Sequence, residues 1–140
     1  SGALADRQSA CRSPELLAAL GRLPPATLVV PMMAEPHLLA KTRHRSLAAT
    51  YHRNQAGNRA MIAAMIAAPA QGTALLADVG VGYVVYCPGY DTDRYARMQS
   101  ASLAAALVAR RSVAGLVPIA SLPGGVTIYR VALGNREAAR

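Results

Sequence analysis

Tyr83-Val84-Val85-Tyr86-Cys87, closed by Pro88-Gly89, decides the fold. Five consecutive β-branched, aromatic or apolar residues with no polar alternation are too few for a stable helix. They read as a strand buried on both faces. Such a strand needs helices above and below it, and the flanking sequence supplies them. Downstream, residues 91–111 have a helical pattern with Leu103, Leu107 and Val108 facing inward. Upstream, from Gly57, the spacing of Met61, Ile62, Met65 and Ile66 marks one apolar helix face. Pro69 interrupts it, Leu75, Leu76 and Val79 continue on a following helix, and Gly80 and Gly82 stop that segment.

Further out, Thr27-Leu28-Val29-Val30-Pro31 is a second short apolar run bounded by prolines and is expected to be another core strand. Before it, Ser13-Pro14-Glu15 opens a helix with Ser as cap and Pro in the first turn. Leu16, Leu17 and Leu20 follow, and Gly21 and Pro24-Pro25 end it. Glu35-Pro36 begins a short helix through Lys41, and Ser46-Leu47-Ala48-Ala49-Thr50 reads as a weak strand. Residues 117–121 and 126–131 form a hairpin around Leu122-Pro123-Gly124-Gly125. Strands separated by helices give an α/β fold of two or three layers, a single domain with a short, mostly parallel central sheet, flanking helices and a C-terminal antiparallel hairpin. The domain is expected over residues 11–133. Residues 1–10 form an arm whose Ser1-Gly2 looks like a tag remnant, and 134–140 form a flexible tail.

The 140 residues are 53% hydrophobic and 16% charged, which excludes a disordered chain. No apolar run reaches the roughly 20 residues of a spanning helix. Phe and Trp are absent, so Leu, Val, Ile, Ala, Met and Tyr must build a thin core. The net charge of +8 suggests an anionic partner. Basic residues concentrate in 41–59, at Arg110-Arg111 and near the C-terminus, without the interleaved aromatics or helical reader of a nucleic-acid binder. Nucleic acid is therefore a disfavoured partner, and solvated basic faces account for the charge equally well.

The densest polar stretch is Thr42-Arg43-His44-Arg45 followed by Tyr51-His52-Arg53-Asn54. Its arginines suit bidentate contacts to phosphate or carboxylate, and His52 suits donation to the same anion. The alternative is a solvent-facing basic loop with Tyr51 on the core. Glu35 falls where open α/β sheets place ligands, at a strand's carboxyl end, although an acid before proline also serves as a plain helix-start residue. His37 has the same two readings. Asp78, Asp91 and Asp93 lie near helix ends, where capping explains them. GxGxxG, Walker-A, GxSxG and HExxH are all missing, so no catalytic residue and no cofactor is assigned. Cys11 and Cys87 are too few for a metal cluster. A bridge between them and a pair of free thiols both stand as readings, the bridge being worth roughly 4 kcal/mol in loop entropy.

In order, these features resemble the soluble C-terminal domain of bacterial polytopic membrane proteins of the GT-C glycosyltransferase class. They are a strand ending in Pro31, an acid and short helix, Thr42-Arg43-His44-Arg45, Tyr51-His52-Arg53-Asn54, a helix and Gly82-Tyr83-Val84-Val85-Tyr86-Cys87. The likeness spans most of residues 11–132. It implies a non-catalytic domain on the periplasmic side of the inner membrane, whose parent possesses the catalytic acid in membrane loops. It implies as partners the transmembrane portion of the same polypeptide and anionic lipid or a lipid-linked sugar, met by Arg43, His44, Arg45, Tyr51, His52, Arg53 and Asn54, with Glu35 kept as a candidate ligand-side carboxylate from its place at the strand end. It also favours a Cys11–Cys87 disulfide, because the periplasm is oxidising. Two other readings compete: a stand-alone cytosolic module binding a phosphorylated ligand or nucleic acid, and a small enzyme using His52 with Glu35 or an Asp as general base.

Overall fold

A computed structural model describes residues 10–47 and 55–132. Among the described residues six α-helices and five strands follow in the order α1 (Pro14–Gly21), β1 (Thr27–Val29), α2 (Glu35–Ala40), β2 (Arg45–Ser46), α3 (Gln55–Ile66), α4 (Pro69–Asp78), β3 (Val81–Tyr86), α5 (Asp91–Met98), α6 (Leu103–Val108), β4 (Leu116–Leu122) and β5 (Val126–Val131). The sheet order is β2-β1-β3-β5-β4. The first three strands run parallel, and β5 and β4 complete the sheet antiparallel. The expected α/β class, parallel centre and terminal hairpin are all present.

The sheet divides two apolar clusters, so the molecule has three layers. Val84 and Tyr86 of β3 point to the face covered by Met61, Met65, Leu76, Tyr95, Leu103 and Leu107 from α3 to α6. Val85 and Cys87, one residue out of phase, point to the opposite face with Leu16 and Leu20 of α1 and Leu38 of α2. This is the double burial that an unalternating apolar run requires. The helices of the first layer pack closely, because a Cβ on Gly72 of α4 would collide with the carbonyl oxygen of Ala64 in α3.

Local chemistry sets the ends of elements. Ser13 Oγ accepts the Leu16 N–H at 3.1 Å, with Pro14 in the first turn, as the sequence predicts. The helix expected over residues 91–111 is instead two. Gln99 leaves helical dihedrals, and the fully buried Ser102 caps α6 by accepting the Ala105 N–H at 3.0 Å. A serine that offers the backbone an alternative partner breaks a helix that periodicity alone continues. The expected apolar face of α3 is also split: Met61 and Met65 are buried, whereas Ile62 and Ile66 are exposed. Leu75 and Val79, and Val108, which was expected to face inward, are likewise exposed. The weak strand expected at residues 46–50 is shorter and earlier, at Arg45–Ser46, and Ala48, Ala49 and Thr50 lie outside the described residues.

At the hairpin edge, β5 is the one strand that β4 pairs with among the described residues, and β4 has Pro118, which lacks an N–H, beside a register shift that leaves Ile119 as an extra residue. Both features blunt an edge against pairing with another chain. No helix among the described residues is long and apolar enough to cross a membrane.

Candidate functional site

The chain leaves β1 toward β2 on one side and leaves β3 toward the hairpin on the other. The carboxyl edge between β1 and β3 is thus the point where connections diverge, the usual ligand crevice of an open α/β sheet. Glu35 and Asp91 are the first residues of the helices that follow these two strands. Burial holds the Asp91 carboxyl above its usual range, against the opposing pull of nearby backbone N–H groups and of Arg94.

Glu35 is only 3% exposed, and burial pushes its carboxyl upward as well. Its Oε2 and the Nε2 of His37 are buried and have no hydrogen-bond partner. Buried polar atoms normally have partners, so an orphaned pair on one short helix is an exception that marks this edge. The carboxyl offers a contact to a hydroxyl or N–H group. Among the described residues no three His, Cys, Asp or Glu side chains converge on a metal position.

Asp93, also on α5, is fully engaged. Its Oδ1 accepts the Tyr86 phenol at 2.8 Å and its Oδ2 accepts the Gly89 N–H at 2.7 Å. Burial pushes the Tyr86 phenol far up, and the bond to Asp93 and its charge add to this against the opposing pull of Arg110. Arg110 lies over the Tyr86 ring at 5.8 Å, donates to Thr127 Oγ1 at 3.0 Å, and donates to the Gly125 carbonyl at 2.6 Å. Its backbone has φ 57°, in the left-handed region that non-glycine residues seldom occupy. Sequence reasoning assigned Asp93 to capping and missed Tyr86 and Arg110, because their meeting depends on strand order and not on spacing.

Cys11 and Cys87 form a disulfide, with Cα atoms 5.8 Å apart and both residues fully buried. The bridge holds the N-terminal segment across the carboxyl end of β3. There Arg12 donates to the Met33 carbonyl at 3.3 Å, and a Cβ on Gly124 would strike Ala10.

The basic stretch lies elsewhere. Arg45 pairs with Thr27 at the amino ends of β2 and β1, whereas Glu35 lies beyond their carboxyl ends. The four residue steps from Thr27 to Pro31 alone separate the two by about 13 Å. Arg43 and Arg45 are exposed, and Arg45 reaches Thr27 Oγ1 at 3.5 Å. His44 is buried, and its ring belongs to the fold: Nδ1 accepts the Ala26 N–H at 3.1 Å and Nε2 donates to the Leu20 carbonyl at 2.7 Å. Both ring nitrogens are occupied by backbone groups, leaving neither for an anion. Tyr51, His52, Arg53 and Asn54 lie outside the described residues. The structure therefore does not bring Glu35 together with Arg43 and Arg45. No family model, curated protein or solved structure matches the chain.

Proposed function

We propose that the chain is an extracytoplasmic domain of a membrane-bound, glycosyltransferase-like protein, facing the periplasm from the inner membrane. By itself it is non-catalytic, and it helps to hold a lipid-linked donor or acceptor through Arg43, Arg45 and the Tyr51-His52-Arg53-Asn54 string. The observation that supports this reading is the buried Cys11–Cys87 disulfide, whose partners are 76 residues apart. Bridges of this kind persist where thiols are oxidised and are rare where glutathione keeps them reduced. The resemblance in motif order supplies the class of parent, and the transmembrane portion of that parent is the partner this reading requires.

The test is the intact mass of non-reduced protein after thiol alkylation, for chain exported to an oxidising compartment and for chain kept in the cytosol. Quantitative protection of both cysteines in exported, folded protein is expected. Two alkylated thiols in exported protein with native circular dichroism would remove the support and favour a cytosolic anion-binding module.

A further inference from the structure

The layer formed by α3 to α6 turns an unusual surface outward. On α3, Arg59, Ile62 and Ile66 fall on one stripe opposite the buried Met61, Ala64 and Met65. On α5, Arg97 and Met98 are exposed on the side away from the buried Thr92, and Arg94 beside them is exposed with its guanidinium 5.4 Å over the Tyr95 ring. The two helices pack on each other within the same layer, so their outer stripes face the same side. Met98 is 69% exposed and Ile66 40%, exposures that no packing within the described residues explains. Asp78 is the one exposed acid on these four helices.

We propose that the outer face of α3 and α5 docks on an anionic phospholipid surface. The alternation of bare aliphatic side chains with guanidinium groups suits the boundary between acyl chains and phosphates, where apolar groups insert and arginines meet lipid charge. The same charge pattern disfavours a second copy, because a two-fold interface would bring the same basic patch of Arg59, Arg94 and Arg97 together from both copies. A nucleic-acid backbone would match the arginines but leave Ile62, Ile66 and Met98 without an apolar partner. This contact requires neither the glycosyltransferase reading nor the basic stretch at the amino edge of the sheet.

The experiment is flotation of bridge-intact protein with vesicles of phosphatidylglycerol and phosphatidylcholine, compared with vesicles of phosphatidylcholine alone. Binding to the anionic vesicles only is expected. Arg94→Glu with Arg97→Glu should weaken it by at least roughly 30-fold, two arginine contributions to anionic lipid binding. Ile62→Ser with Ile66→Ser should weaken it too, and all four positions are exposed, so thermal unfolding should stay close to the parent's apart from the small loss of the Arg94 contact with the Tyr95 ring. The proposal is overturned by no binding to anionic vesicles, by binding that follows Arg43→Glu with Arg45→Glu instead, or by a dimer in solution that the isoleucine variants dissolve. Bridged protein that ignores vesicles would remove this contact and leave the extracytoplasmic reading standing. Vesicle binding by protein with two free thiols would do the reverse.

Discussion

His44 shows how a residue chosen for chemistry can serve structure. In the sequence it stands between two arginines, which is why it reads as part of an anion site. In the fold it closes a gap that no backbone group fills, linking the Ala26 N–H just before β1 to the Leu20 carbonyl at the end of α1. His44→Phe keeps an aromatic ring near Tyr83, whose centroid is 6.3 Å away, but strips both backbone groups of their partner. We expect a loss of about 2–4 kcal/mol in urea unfolding. Arg43→Ala and Arg45→Ala, at exposed positions, should stay within about 0.5 kcal/mol of the parent. Glu35 behaves differently, because the folded chain binds its proton more tightly than the unfolded chain, where it leaves near 4.5. As pH rises from that point the unfolded state gains relative to the folded one, so stability present in acid is lost as pH climbs through the raised folded value. Asp91 adds to the same trend from 3.8 upward. Glu35→Gln should flatten the fall in stability between mildly acid and neutral pH, measured by urea titration at each pH. An unchanged slope would mean that the carboxyl ionises as freely in the fold as outside it.

At the scale of elements, the hairpin is held from a distance. Arg110 follows α6, yet its guanidinium binds the Gly125 carbonyl in the turn and Thr127 at the start of β5 while covering Tyr86 of β3. Its left-handed backbone aims the side chain there, at a cost of about 1–2 kcal/mol. Arg110→Ala keeps the backbone cost and loses the contacts, whereas Arg110→Gly loses the contacts and relieves the backbone. The alanine variant should therefore unfold at lower urea than the glycine variant, by about 1 kcal/mol, and both below the parent. The elements that were legible share one property: their signal is local. The apolar runs at residues 27–31 and 83–87 and the Pro-Gly-Gly turn of the hairpin carry their own boundaries in proline and glycine. The break at Ser102 was not legible, because a serine inside an Ala- and Leu-rich stretch caps or continues a helix depending on what buries it. The outward turn of Ile62 and Ile66 was hidden for a related reason, since four apolar residues on one helix do not say which half meets the sheet. Glu35 was legible as a strand-end acid, but the meeting of Tyr86, Asp93 and Arg110 required the strand order.

For the whole molecule, the disulfide compensates for what composition withholds. A core without Phe or Trp, in which α6 contributes only Leu and Ala to the buried face, removes less apolar surface per residue than an aromatic core. The Cys11–Cys87 bridge acts on the other side of the balance, closing a 76-residue separation and so restricting the unfolded chain. That restriction is worth roughly 4 kcal/mol, a large fraction of the 5–15 kcal/mol by which domains are usually stable. The bridge also fixes the first helix against the sheet, since only Arg12 and Ser13 separate Cys11 from α1 and Cys87 directly follows β3. Cys11→Ala with Cys87→Ala should consequently lower the midpoint of thermal unfolding by roughly 10–20 °C while leaving the far-ultraviolet circular dichroism of the folded state close to the parent's. Reductant should produce the same fall in the parent and none in the double variant, and this comparison separates the bridge from the two lost thiol side chains. If reductant leaves the parent's midpoint in place, the stability must come from packing alone, and the thin core would have to be better filled than its composition allows.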